Sequence, residues 1–185
     1  MRKFLLLLLL SSTCMAQTSR KPFFPLPKSL SDFQSASSLA PELRAVIAPA
    51  IAISSCKLDG SEKYATAQAD LQHEGAITLI RIDDPCLCGP SGNCPIFSVQ
   101  KSKLVLADGQ GFAFAMSANP KGGAPDLLIA SHTSANVTSL QRYQWKGSRF
   151  KLHDCEAAVR KDDARSATWN PEELDTTSCD AIALK

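Results

Sequence analysis

Three cysteines fall within the nine residues Cys86-Leu87-Cys88-Gly89-Pro90-Ser91-Gly92-Asn93-Cys94. Thiols at such spacing can do redox chemistry, bind a soft metal, or close a covalent ring. A redox pair needs C-x-x-C at the start of a helix, where the helix end lowers one thiol pKa. The closest spacing here is C-x-C, Cys86 and Cys88, flanked by Pro85 and Gly89 with no helical pattern after it. A zinc centre needs four soft ligands in paired spacing. Only one cysteine cluster exists, and His73, His132 and His153 are scattered. A ring asks least: Gly89, Gly92 and Asn93 allow the tight backbone that would join Cys88 to Cys94. The Cα atoms would then approach to about 5.5–6 Å.

The remaining cysteines depend on where the chain is folded. Arg2 and Lys3, the apolar run Phe4–Leu10 and the small residue Ala16 read as a secretory signal peptide over 1–16. Acylation at Cys14 is disfavoured by Thr13, which is bulkier than the residues normally found before a lipidated cysteine. Loss of the leader takes seven cysteines to six and leaves 18 basic against 18 acidic side chains. An even count in an exported chain predicts three disulfides. Fifteen connectivities are open. The pairing favoured here is Cys88–Cys94, Cys56–Cys86 and Cys155–Cys179. A neutral chain with no basic run lacks the footprint of a nucleic-acid binder. No later stretch is long enough to span a bilayer as a helix.

Other chemistry is fragmentary. Ser54-Ser55-Cys56-Lys57 and Ser98-Val99-Gln100-Lys101 both have S-x-x-K spacing, but the companion K-T-G is absent. Neither G-x-S-x-G nor H-E-x-x-H occurs. Asp83 and Asp84 are adjacent, so on a strand they would face opposite ways. His132 lies in the polar run SHTSANVTS, read as a loop, and is a candidate base with a distant aspartate. Asn136-Val137-Thr138 matches the N-glycosylation pattern.

The elements that must position these residues divide near Lys63. Residues 17–30 carry three prolines and read as a linker or strap packed by Phe23 and Phe24. Ser31 to Gln34 has capping-box spacing and predicts a helical turn. Pro41 suits a first helical turn. Leu43, Val46, Ile47 and Ile51 then form an apolar stripe to cover a sheet, with Pro49 kinking or ending the helix. Beyond Lys63, residues 77–82, 95–100, 103–107, 111–116 and 126–131 read as strands. Turns are expected at Asp83-Asp84-Pro85, Asp108-Gly109 and 120–123. Residues 143–152 read as a hairpin about Lys146-Gly147, with Tyr143 and Trp145 on one face and Phe150 and Leu152 on another. Asn170-Pro171-Glu172-Glu173 could begin a helical turn.

Segments 69–82 and 118–131 align at an offset of 48, matching Gly75 with Gly123. Residues 70–80, D-L-Q-H-E-G-A-I-T-L-I, resemble the FG-GAP repeat of integrin-type propellers. The resemblance places Asp70, Gln72 and Glu74 at calcium-ligand positions and Gly75 at the turn glycine. Thr78 replaces the last aspartate, and the second copy matches only at Gly123 and Asp126. Without a full oxygen set the loop is expected to be a β-turn rather than a calcium site. YQWKGSRF is similar to an aromatic hairpin of exported bacterial repeat proteins, and C-G-x-x-G-x-C to a motif of small secreted or periplasmic proteins. Two copies imply a blade-like open sheet, not a closed propeller.

The sequence therefore predicts one α+β domain over 31–185. An N-terminal helical segment near 31–52 would pack on an antiparallel β-meander stapled by disulfides. Its expected function is non-enzymatic: binding or structural support in the cell envelope, periplasmic or secreted, with an unknown protein or envelope component and no cofactor. A second reading is an inhibitor of a secreted lysozyme or protease, acting through Gly89, Pro90, Ser91, Gly92 and Asn93. A third is a small hydrolase using His132 or the acids around Asp83.

Overall fold

The computed structural model describes residues 27, 29–54, 56, 60–119, 122–134 and 137–159. The expected leader, Phe23, Phe24, Asn136, the turn at 170–173 and Cys179 lie outside them.

Among the described residues, nine strands form two antiparallel meanders. The first sheet runs in order β1 (Gln34–Ala36), β2 (Lys63–Asp70), β3 (Ala76–Asp83), β4 (Cys94–Gln100) and β5 (Lys103–Gly111). The second runs β6 (Ala113–Ser117), β7 (Asp126–Ser134), β8 (Val137–Trp145) and β9 (Phe150–Val159). The expected single open sheet is thus two sheets facing each other. Ile77 and Leu79 of β3, Ile96 of β4 and Val105 and Leu106 of β5 meet Phe114, Leu127, Ile129, Tyr143 and Phe150 between them.

β3 is apolar on both faces because it is covered on both. Ile77 and Leu79 point to the second sheet, while Ile80 and Ile82 point the other way. There helix α1 (Pro41–Ile51) lays Ile47 and Ile51 over Ile80, Ile82, Phe97 and Val99. Leu43, Val46 and Ala50 complete the stripe, at the helical spacing that puts them on one face. The helix continues past Pro49 to Ile51. Pro49 has no N–H to give the Ala45 carbonyl, so the helix runs on for only two more residues.

The helical segment is shorter than 31–52. Ser31 exchanges backbone hydrogen bonds with Phe114, at 2.7 and 3.2 Å, and Gln34–Ala36 pairs with β2. Phe33 is buried against Phe114, with ring centroids 5.1 Å apart. Burial of that ring and strand pairing override the local capping pattern.

Three further expectations change. Tyr143 lies opposite Leu152 and Trp145 opposite Phe150, so all four share one face. Leu152 stays largely exposed, while Trp145 meets Phe150 edge-on at 5.2 Å. His132 sits in β7, not in a loop. Asp108-Gly109 is no turn, because β5 runs through it to Gly111. The glycines are needed there for a different reason: β5 passes very close to β7. A Cβ on Gly109 would lie 2.8 Å from Ile129 Cδ1, and one on Gly111 2.6 Å from Ile129 Cγ2. One residue later the chain enters the second sheet, and Arg81 fixes this corner by donating from Nη1 to the Phe112 carbonyl at 2.6 Å.

Gly111→Ala is expected to cost about 1–3 kcal/mol, the usual range for overpacking. Urea unfolding measures it; an unchanged midpoint would mean that the crossing is not tight.

Candidate functional site

The loop after β3 is built from its first acid. Asp84 is a helix N-cap: its Oδ1 accepts from the N–H of Cys86 at 2.9 Å and of Leu87 at 3.3 Å. Pro85 follows at the first helical position, so Pro85–Cys88 forms one turn, α2. This turn was not anticipated, although Asp-Pro is its sequence signal. Gly89 and Gly92 then take φ of 65° and 72°, left-handed values that favour glycine. The chain doubles back, and Cys88 bonds Cys94 with Cα atoms 3.9 Å apart, closer than the separation expected. Cys56 bonds Cys86 with a Cα separation of 5.9 Å, tying the chain after α1 to α2. Cys155 is also disulfide-bonded, to a residue outside those described.

The tip and base of this loop differ. Gly89, Pro90, Ser91 and Gly92 are exposed. Asn93 is half-buried and reaches across to the other sheet. Its Nδ2 donates to the His132 carbonyl at 2.7 Å, and its Oδ1 accepts from the His132 N–H at 2.7 Å. The side-chain amide thus imitates a strand neighbour of β7. Its orientation follows from using both of its ends, since only one flip satisfies both partners.

Beside the loop lies a cleft of about 600 Å³, walled by Pro90, Ser91 and Asn93 on one side and by β7, β8 and β9 on the other. Its floor is a hydrogen-bonded chain. The Tyr143 hydroxyl donates to Gln141 Oε1 at 2.8 Å, Gln141 Nε2 donates to Ser131 Oγ at 3.4 Å, and Ser131 Oγ donates to the Gln110 carbonyl. Burial first, then the Asp108 carboxylate, pushes the Tyr143 hydroxyl well above the ordinary phenol value. Tyr143 therefore stays protonated and acts as a donor at any ordinary pH.

The other candidates are placed apart. Asp70 Oδ1 accepts from the Gln72 N–H at 2.9 Å, at the entry to the short turn Gln72–Glu74. The Glu74 carbonyl accepts from Gln100 Nε2 at 2.8 Å. Gly75, at φ 89°, ends this turn, which joins β2 to β3 in an antiparallel hairpin. His132 stacks its ring on Phe112, with centroids 4.1 Å apart and planes 10° from parallel. Asp83 is engaged by Arg81 through both oxygens, at 2.6 and 2.9 Å. Asp83, Cys88 and Cys94 bring donor atoms within 4.8 Å of one another, but the two sulfurs are spent on their mutual bond. Of the S-x-x-K serines, Ser54 Oγ donates to the Ile51 carbonyl at 2.7 Å, and Ser98 is fully buried while Lys101 is exposed.

Sequence reasoning missed a charged cluster on the outer face of the second sheet. Arg142 donates to both oxygens of Asp154, through Nε at 2.7 Å and through Nη2, and contacts Asp126 at 3.4 Å. Burial raises the Asp126 carboxyl above its ordinary range, and Arg142 partly opposes that rise. Asp126, Arg142 and Asp154 lie far apart in the sequence, and only cross-strand register brings them together.

Comparison with known proteins gives no family: no family model, no curated protein and no solved structure matches the chain. The site must be read from its own geometry. Among the described residues, no helix is long and apolar enough to cross a membrane.

Asn93→Ala should cost about 1–3 kcal/mol, because it leaves the His132 N–H and carbonyl without their partner. Amide exchange at His132 should quicken while exchange in β2–β3 does not change. Equal protection in both proteins would show that the amide bridge is idle.

Proposed function

We propose that this is an exported, non-enzymatic binding protein of the cell envelope, whose partner meets the exposed tip Gly89–Gly92. One observation carries the reading: an exposed tip stands on a base fixed by two disulfides and by both ends of the Asn93 amide. A loop held in one conformation loses little entropy when it binds. Disulfides persist in oxidising compartments, which supports export. The near-neutral charge favours a protein or envelope component over nucleic acid. The non-enzymatic part is supported by the engagement of the candidate acids and base: Asp83 by Arg81, Asp84 as a cap, and His132 by Phe112 and Asn93. The FG-GAP-like loop belongs to this proposal as a hairpin turn, since Asp70 spends an oxygen on the backbone.

The second reading, inhibition of a secreted lysozyme or protease, is favoured by the exposure of Pro90 and Ser91 on that rigid base. It is the narrower form of the same proposal.

A photo-cross-linking residue at Ser91 tests both. The control carries it at Lys103, an exposed position at the start of β5. An envelope or secreted component captured from Ser91 and not from Lys103 is the expected result. Capture from both positions, or from neither, would overturn the proposal. If the captured component is a hydrolase, Pro90→Ala and Ser91→Ala should weaken its inhibition at least tenfold; full inhibition by both variants would remove the inhibitor reading.

A further inference from the structure

The cleft beside loop 88–94 is lined for hydrogen bonding rather than for packing. On the face of β7 and β8 that looks toward the first sheet, Leu127, Ile129 and Tyr143 belong to the core. Farther along the same face stand Ser131, its partner Ser139, and Gln141. β5 is the last strand of the first sheet, and its Asp108 and Gln110, both exposed, form the rim. Polar side chains on an inward face cost stability unless their hydrogen-bonding groups are used.

The floor is oriented in advance. The Tyr143 hydroxyl donates to Gln141 Oε1, and Gln141 Nε2 donates to Ser131 Oγ, so the Gln141 amide cannot turn over without losing both bonds. A primary amide has two N–H donors and two acceptor lone pairs. These bonds use one of each, which leaves Gln141 with a second donor and a second acceptor at fixed positions. Asp108 adds a pure acceptor at the rim, and the Ser91 hydroxyl both donates and accepts. The apolar groups are as telling. Leu152 lines the cleft and is 46% exposed, one of two large apolar side chains so exposed among the described residues. Pro90 lies on the opposite wall.

We infer that this cleft binds a short neutral oligosaccharide. A pyranose ring carries hydroxyls around its edge, each both donor and acceptor, and C–H groups on its faces. The Asp108 carboxylate accepts from two adjacent hydroxyls, Gln141 gives one bond and takes one, and Leu152 and Pro90 meet the C–H faces. Other ligand classes match less. Among the described residues no Lys or Arg lines the cleft, so a phosphate or carboxylate would meet Asp108 and no cation. An apolar ligand would strand the serine and glutamine groups. The one grouping of potential metal ligands among the described residues is at Asp83, Cys88 and Cys94, not here. The volume, about 600 Å³, falls within the range of about 300–1,000 Å³ usual for small-ligand sites. This site goes beyond the contact proposed for the tip, although Pro90 and Ser91 belong to both.

The test titrates the 15N-labelled full-length secreted protein with maltotriose, cellotriose and triacetylchitotriose, and with trigalacturonate as the charged counterpart. At about 10 mM sugar, enough to reveal millimolar binding, at least one neutral trisaccharide should shift the Gln110, Ser131 and Gln141 amides and the Gln141 side-chain NH2. The β2–β3 hairpin should not move. Asp108→Ala and Leu152→Ser, both at exposed positions, should each weaken that binding about tenfold. Asp108→Asn, which keeps one acceptor oxygen, should lose less. No response to any of the three sugars, shifts centred outside the cleft, tighter binding of the charged trimer, or unchanged affinity in both variants would overturn the inference. Should one variant unfold, the other decides, since they lie on different strands. A partner captured at Ser91 without any sugar response rejects the cleft and keeps the tip; the reverse rejects the tip alone.

Discussion

The structure depends on how closely β5 crosses β7. The packing distance there leaves no room for a β-carbon at Gly109 or Gly111. Gly111 is also the register partner of Cys94 in β4. The approach that seats Gly111 on Ile129 and Ala130 therefore carries the start of β4 to the edge of the second sheet. Asn93, one residue before Cys94, is then within reach of His132, two residues beyond Ala130 in the same strand. A wider crossing would separate the sheets at this end, breaking the amide bridge and dissolving the cleft.

The disulfides act on that frame in a complementary way. Cys88–Cys94 closes the loop on itself, and Cys56–Cys86 ties its helical turn to the chain after α1. The loop-closure model credits such bonds with roughly 2–4 kcal/mol each by restricting the unfolded chain. Staple and recognition loop are thus not competing descriptions of Cys86–Cys94. The same bonds that stabilise the base hold Gly89–Gly92 out from it. Asp84 adds to the effect, because its carboxylate fixes where α2 begins and hence where Cys86 and Cys88 point.

Much of this was legible in the sequence where local chemistry decides. Short apolar or alternating runs bounded by turn residues located β3, β4 and β7, and the stripe from Leu43 to Ile51 located the face of α1. Glycines in a short ring marked Cys88 and Cys94 as neighbours. What was illegible came from contacts between residues far apart. Gly109 looks like a turn residue until Ile129 lies beside it. Ser31 to Gln34 looks like a helix start until Phe33 finds Phe114. The cleft could not be read at all, since Ser131, Gln141 and Gln110 come together only through strand register and the sheet crossing. Asn93 reads in the sequence as a loop residue, but its role as the bridge to His132 has no local signal.

The central claim is that the tip of loop 88–94 is held rigid before it meets a partner. Backbone 15N relaxation of Gly89, Ser91, Gly92 and Asn93 in the oxidised protein tests it most directly. The account predicts order parameters near about 0.85, as in rigid backbone, falling below about 0.6 once Cys88–Cys94 is reduced. Values already below about 0.6 in the oxidised protein would contradict it.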